Sequence, residues 1–302
     1  MKKYFISNIG MLIYRILMFF RKIKMNNFLT FDIEEWYHAN YDGLFIDQYK
    51  DSSTQLELNI DKIIDLCSAY NVKSTCFVLG ELADSKPQIV RKLYQSGHEI
   101  ASHSYAHRLV YTMSPSEFKE DLRKSCDVLE QITGEKVLGF RAPSWSVRKE
   151  NLKWFYEILA EQGIIYSSSV YPAYTYLYGI SDFPQEIHFP IIQEQKIKIL
   201  EIPQSVIGIR EKNIGFAGGF YLRFFPIWFI NMAIKSKNRN EHPVFIYLHP
   251  REIDINQPKL EIKGIERFIH YHGISSCYQK LEKLLHEFSS TFIRMDQFRS
   301  KL

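Results

Sequence analysis

The sequence predicts an α/β protein built on a parallel sheet, either closed as a (β/α) barrel or open and doubly wound. Short apolar runs alternate with segments of helical periodicity over about 270 residues. Several of those runs end in charged residues or histidines, as barrel strands do at the face that carries chemistry. No repeat, low-complexity tract or Pro/Ser linker breaks the alternation, so a single domain is expected.

Residues 27–33 (NFLTFDI) read as the first strand, a short apolar run ending in acidic residues. Over 55–70, Leu56, Ile60, Ile63, Ile64 and Cys67 recur at helical spacing. Residues 74–79 (STCFVL) form a buried strand, 87–95 a helix closed by Gly97, and 98–102 the next strand. Ser114-Pro-Ser-Glu117 makes a capping box with Pro at the first helical position. The helix it opens puts Phe118, Leu122 and Leu129 on one face and stops near Gly134. Then follow a strand at 137–140, a helix at 150–162, strands at 199–203 and 244–248, and a late helix at 281–288.

The 302 residues are 46% hydrophobic and 24% charged, a globular composition. Aromatics reach 15%, suited to a large core and to a cleft that stacks on ligands. Residues 1–24 hold Lys2, Lys3, Arg15, Arg21, Lys22 and Lys24 and no acid, so of the net +4 the rest of the chain carries −2. A body so near neutrality lacks the basic face that nucleic acid would need. No Gly-x-Gly-x-x-Gly follows the first strand, which argues against a dinucleotide site. Cys67, Cys76, Cys126 and Cys277 are far apart and read as reduced, buried thiols, in keeping with a cytoplasmic protein. Residues 5–20 are apolar but interrupted by Arg15, and fall short of the roughly 20 residues that span a bilayer. Two readings of 1–24 stand level: a basic amphipathic segment on anionic lipid at the inner face of the membrane, or sequence upstream of a start at Met25. A poor signal anchor is the third reading, and true secretion ranks below the first two.

The polar residues at the strand ends are the informative ones. Asp32-Ile-Glu-Glu35 closes the first strand, and His103 and His107 follow the strand at 98–102. Arg141-Ala-Pro-Ser144 follows 137–140, and His249-Pro250 follows 244–248. Each group alone has an ordinary reading, as a helix cap, a chance pair, a structural ion pair or a strand terminator. Together they converge on the same mouth of a parallel barrel. Two histidines and a carboxylate are a usual ligand set for a catalytic Zn²⁺ that keeps one position open. A second carboxylate as base, an arginine to hold it ionised and another histidine as acid complete the parts for metal-assisted hydrolysis.

The stretches FDIEEWYH (31–38), GHEIASHSYAH (97–107), GFRAPSWS (139–146), AGGFYLRFFP (217–226), FIYLHPREID (245–254) and RFIHYHG (267–273) resemble one family in order. It is the polysaccharide deacetylases with a NodB homology domain, carbohydrate esterase family four, and within it a branch found with bacterial exopolysaccharide gene clusters. The resemblance implies a distorted (β/α)₇ barrel that holds one divalent metal ion, commonly zinc. It implies Glu34, His103 and His107 as ligands, Asp32 as base, Arg141 as its orienting partner and His249 as general acid. The implied reaction removes N-acetyl groups from amino sugars of a bacterial surface polysaccharide or its precursor. Three departures from the family stand out. Its paired aspartates are spread here into Asp-Ile-Glu-Glu, leaving Glu34 or Glu35 as the ligand; strand alternation favours Glu34. Ser167 stands where relatives carry an Asp that supports the acid, and Arg251 where they carry Trp. Trp36, Tyr37, Trp145 and Tyr221 are candidates to stack on sugar faces or to pack in the core, and His98 reads as structural. Two rivals remain: a catalytically weak glycan-binding protein of the assembly machinery, and a hydrolase of a non-sugar C–N bond on the same fold.

Overall fold

Strand β1 (Asn27–Ile33) is buried along its whole length, so both faces of its sheet are covered. Leu29, Phe31 and Ile33 join the large apolar layer beneath the helices, while Phe28 joins a second cluster on the opposite face. Period-two alternation thereby sends Phe28, Thr30 and Asp32 to the barrel interior and their neighbours outward. This arrangement comes from a computed structural model, which describes residues 25–299 except 42, 51, 53, 174, 176, 177 and 211. The expected membrane-surface segment at 1–24 lies outside the described residues.

Seven parallel strands follow the order β11–β1–β2–β3–β4–β5–β8. They are β2 (Thr75–Val78), β3 (Glu99–Ser102), β4 (Gly139–Phe140), β5 (Tyr166–Ser167), β8 (Leu200–Glu201) and β11 (Phe245–Leu248), with β1. A short β12 (Phe292–Ile293) pairs with the start of β1. This is the expected (β/α)₇ arrangement, with its distortion located. Among the described residues β8 and β11 do not pair, and Ser205 Oγ accepts the Phe245 N–H there at 3.0 Å.

Five helices connect β1 to β5: α1 (Leu56–Ala69), α2 (Gly80–Ser85), α3 (Pro87–Gln95), α4 (Pro115–Thr133) and α5 (Leu152–Glu161). The Ser114–Glu117 capping box opens α4, and Gly134 in the left-handed region (φ 75°) closes it. The second half differs more from expectation. Residues 199–203 shrink to the two of β8, and β5 has too polar a sequence to be read as a strand. Two antiparallel hairpins, β6 (Ile191–Ile192) with β7 (Gln195–Lys196) and β9 (Val206–Ile209) with β10 (Lys212–Gly215), stand outside the main sheet. Helices α6 (Gly219–Phe224), α7 (Ile227–Arg239) and α8 (Gly264–Tyr271) were not anticipated, and α9 (Ile274–Phe288) begins well before residue 281.

Two glycines are required by close approach. A Cβ on Gly139 would lie 2.1 Å from the Tyr166 ring of the neighbouring strand. One on Gly218, which opens α6, would lie 2.4 Å from the Tyr247 carbonyl oxygen. The second contact presses α6 against the end of β11, beside the site.

Candidate active site

Asp32 is the inward residue near the end of β1, and it meets Arg141, the first residue after β4. Arg141 Nη1 donates to Asp32 Oδ1 at 2.6 Å and to Thr30 Oγ1 at 3.0 Å, while Nη2 donates to Ser168 Oγ at 3.2 Å. The guanidinium lies 4.0 Å above the Phe77 ring and 5.1 Å from that of Phe245, so its charge sits against aromatic faces. Both partners are buried, which makes the ion pair the polar centre of the barrel.

Glu34, two residues on, emerges on the same side. Its Oε2 lies 2.9 Å from His107 Nε2 and 3.8 Å from His103 Nε2. Glu35 turns away: Thr54 Oγ1 donates to it at 2.5 Å and Lys86 Nζ pairs with it at 2.6 Å. Between the two acids, only Glu34 meets the histidines. His103 begins the loop after β3. Its Nδ1 donates to the Arg141 carbonyl at 2.9 Å, which fixes the tautomer and leaves the Nε2 lone pair facing Glu34. Burial pushes His103 down to about 4, so the ring is neutral near pH 7. His107 sits at φ 55°, a strained conformation at the end of a short loop. Asp121 of α4 holds that loop by accepting the N–H groups of Tyr105 (2.7 Å) and Ala106 (3.3 Å), and Ser104 Oγ accepts that of His107.

His249 follows β11 directly and faces the trio. Its Nε2 is 3.6 Å from Glu34 Oε1 and 3.8 Å from Asp32 Oδ2. Glu252, one turn later, accepts the His249 N–H at 3.1 Å and lies 3.4 Å from Nδ1. Glu252 is held in turn by buried Arg223 of α6, whose Nε donates to it at 3.0 Å and whose other nitrogens donate to the carbonyls of His272 and Ile269. Burial alone would lower the His249 pKa, but Glu34 and Glu252 outweigh it and hold it above its ordinary value. Burial would likewise raise Glu34; His107 and His249 outweigh it and keep that carboxylate ionised.

The structure therefore brings together Asp32, Glu34, His103, His107, Arg141 and His249 from four strand ends. The ligand-type atoms of Glu34, His103 and His107 all lie within 4.8 Å of one another. Glu34 Oε2 is buried with no hydrogen-bond partner, a costly arrangement unless something else bonds it. One carboxylate and two imidazoles, with that orphaned oxygen between them, fit a divalent cation. Asp32, Glu34, both histidines and His249 line one cleft of about 370 Å³.

Residues 28–157 match the model of the polysaccharide deacetylase family. Over that segment the chain is similar to the polysaccharide deacetylases. Residues 168–299 match the model of a domain of unknown function, DUF3473. The base, ligand and arginine candidates come from the first segment and His249 from the second, and one sheet draws strands from both. A peptidoglycan-N-acetylglucosamine deacetylase of Bacillus cereus is 32% identical over 93 residues, 31% of this chain and 34% of its own length. The matched stretch thus spans about a third of that curated relative. The PuuE allantoinase superposes with a TM-score of 0.61 at 16% identity, over 92% of this chain and 89% of its own. A mutant of a family-four pseudoenzyme with restored enzymatic activity superposes at 0.50 and 16% identity, over 91% and 66%. At these identities the superpositions show the fold alone.

Sequence reasoning passed over His38, Ser168, Arg223 and Glu252. His38 lines the cleft, its Nδ1 accepting the Glu35 N–H at 3.0 Å, and burial pushes it down to about 3. Glu252 was visible only as one acid in LHPREID; the capping-box spacing His249-x-x-Glu252 was the available signal. Of the aromatic candidates, Trp145 and Tyr221 line the cleft, whereas Trp36 and Tyr37 pack in a separate apolar cluster. His98 accepts the Ser74 N–H at 3.1 Å at the opposite end of β3 from His103.

Proposed function

We propose that this protein is a metal-dependent hydrolase that removes N-acetyl groups from amino sugars of a bacterial surface polysaccharide or its precursor. The observation that carries the reading is the placement of Asp32, clamped by Arg141, and of His249 beside the Glu34–His103–His107 trio. Glu34, His103 and His107 would hold one divalent ion, zinc by preference of the ligand set, which would supply Lewis acidity at the acetamide carbonyl. Asp32 takes a proton from water as the water's oxygen attacks the carbonyl carbon. Arg141 pairs with Asp32 and fixes the carboxylate's direction. His249, protonated and oriented by Glu252, gives its proton to the leaving nitrogen as the C–N bond breaks. The products are acetate and a free amino sugar. Trp145 and Tyr221 offer flat faces on which a pyranose ring can stack.

The buried, unbridged cysteines suit a reducing compartment, which supports a reading of this protein as cytoplasmic. Among the described residues no helix is long and apolar enough to cross a membrane. Acetate release from N-acetylglucosamine oligomers, with and without chelator and with Asp32→Asn, tests the reading. Release by wild type that is lost in both controls supports it. Binding of acetylated glycans with no acetate from any of them, metal being present, would establish the glycan-binding reading instead. Turnover of only a small cyclic amide would establish the non-sugar one.

A further inference from the structure

We propose that Arg251 anchors an anion subsite in the catalytic cleft, so that the substrate carries a carboxylate or a phosphate close to its acetamido sugar. This rests on the deacetylase reading and narrows its substrate class. Three arginines approach the cleft, and two are committed. Arg141 is bound to Asp32, and Arg223 to Glu252 and two carbonyls. Arg251 lines the cleft two residues after His249 and is partly buried. Among the described residues no carboxylate lies within 4.0 Å of its guanidinium.

What holds Arg251 is neutral. Its Nη1 lies 3.5 Å from His270 Nε2. A guanidinium can only donate, so Nε2 accepts and the imidazole proton sits on Nδ1, 3.5 Å from the Tyr41 hydroxyl. His270 is fully buried, and burial together with Arg251 and Arg223 pushes its pKa far below the ordinary value, so it brings no charge. Nε of Arg251 is buried and has no hydrogen-bond partner. The side chain is thus positioned without being neutralised, and part of its donor fork is unused. A planar guanidinium in that state matches a carboxylate or a phosphate through paired N–H···O bonds. The nearby acids do not compete: Asp32 and Glu252 have arginine partners, and Glu34 belongs to the histidine trio.

The test is the affinity of the zinc-loaded full chain for three ligands, by calorimetry, with acetate assayed in the same samples. They are a neutral N-acetylglucosamine tetramer, a tetramer alternating N-acetylglucosamine with glucuronic acid, and UDP-N-acetylglucosamine. At least one anionic ligand is expected to bind about tenfold or more tightly than the neutral one. That advantage should shrink with added salt, nearly vanish in Arg251→Gln and survive in part in Arg251→Lys. Preference for the uronate alone identifies a carboxylate, and for the nucleotide sugar alone a phosphate. Equal affinity for all three, or an anionic preference intact in Arg251→Gln, overturns the subsite. Should Arg251→Gln not fold, the wild-type comparison and Arg251→Lys decide. An Arg251-dependent preference without acetate release would keep the subsite and remove the deacetylase reading, so the two fail separately.

Discussion

Nη1 of Arg141 stands 2.6 Å from Oδ1 of Asp32, joining residues 109 apart in the chain inside a ring of barrel aromatics. The pair ties β1 to the loop after β4, so the candidate base is also a structural element. Replacing Arg141 by Met leaves a carboxylate buried without its counter-charge. The expected loss is about 3–5 kcal/mol, measurable by urea unfolding. Asp32→Asn keeps an acceptor for the guanidinium and should cost less stability while abolishing acetate release. Equal stability of Arg141→Met and wild type would show that the carboxylate is not held by this pair.

The Glu34–His103–His107 trio predicts one tightly held zinc per chain. At a free zinc concentration a hundredfold above Kd, binding stabilises the fold by about 2.7 kcal/mol, and a chelator should remove that increment. Glu34→Gln and His103→Ala are each expected to abolish stoichiometric zinc and the chelator-sensitive part of Tm. Undiminished zinc content in both variants would remove the ligand assignment.

How much of this was legible before the fold was known depended on where each residue stood relative to a strand. Asp32, His103, Arg141 and His249 each follow or end an apolar run, and in a parallel barrel a strand end is also a position in space. Glu34 over Glu35 followed from strand alternation, and the Lys86–Glu35 pair shows the other acid turned outward. Arg223 and Glu252 were hidden for a different reason. Their meaning lies in a contact between α6 and the turn after β11, which no local periodicity encodes. The second half was read least well because β5 and β8 are two residues long and α6 is held by tertiary packing against Tyr247. Trp36 and Tyr37 sit inside the first motif yet face a core formed with Leu260 and Ile262, a pairing set by the fold and not by spacing.

Glu252 supplies His249 with a carboxylate, whereas Ser167 supplies none and its Oγ bonds Ser169 at 2.9 Å. Glu252→Gln is expected to leave Arg223 buried without its counter-charge and His249 without the carboxylate beside Nδ1. Stability should fall by about 3–5 kcal/mol from the broken buried pair. In the fraction that folds, kcat should drop more than KM rises, because proton delivery is impaired while the cleft walls remain. A purely structural Glu252 would instead give an unchanged kcat per folded molecule, counted by active-site zinc.

His98 and Glu99 are neighbours at the start of β3 whose ionisation opposes each other. Burial pushes His98 down to about 4, and burial with nearby Asp296 pushes the Glu99 carboxyl up to about 7. For His98 the unfolded chain binds the extra proton, so stability falls as pH drops from about 6.5 towards 4. For Glu99 the folded chain binds it, so stability falls as pH rises from about 4.5 towards 7. Their slopes, each at most about 1.4 kcal/mol per pH unit, cancel where the windows overlap. His98→Gln can still accept the Ser74 N–H through its amide oxygen, and it removes one of the two slopes. Relative to wild type, that variant should gain stability steadily as pH falls from 6.5 to 4. Asp296→Asn lowers the Glu99 pKa and should gain relative stability as pH rises from 4.5 to 7. Urea midpoints measured across both ranges check the signs, and a difference from wild type that does not change with pH would refute the assignment.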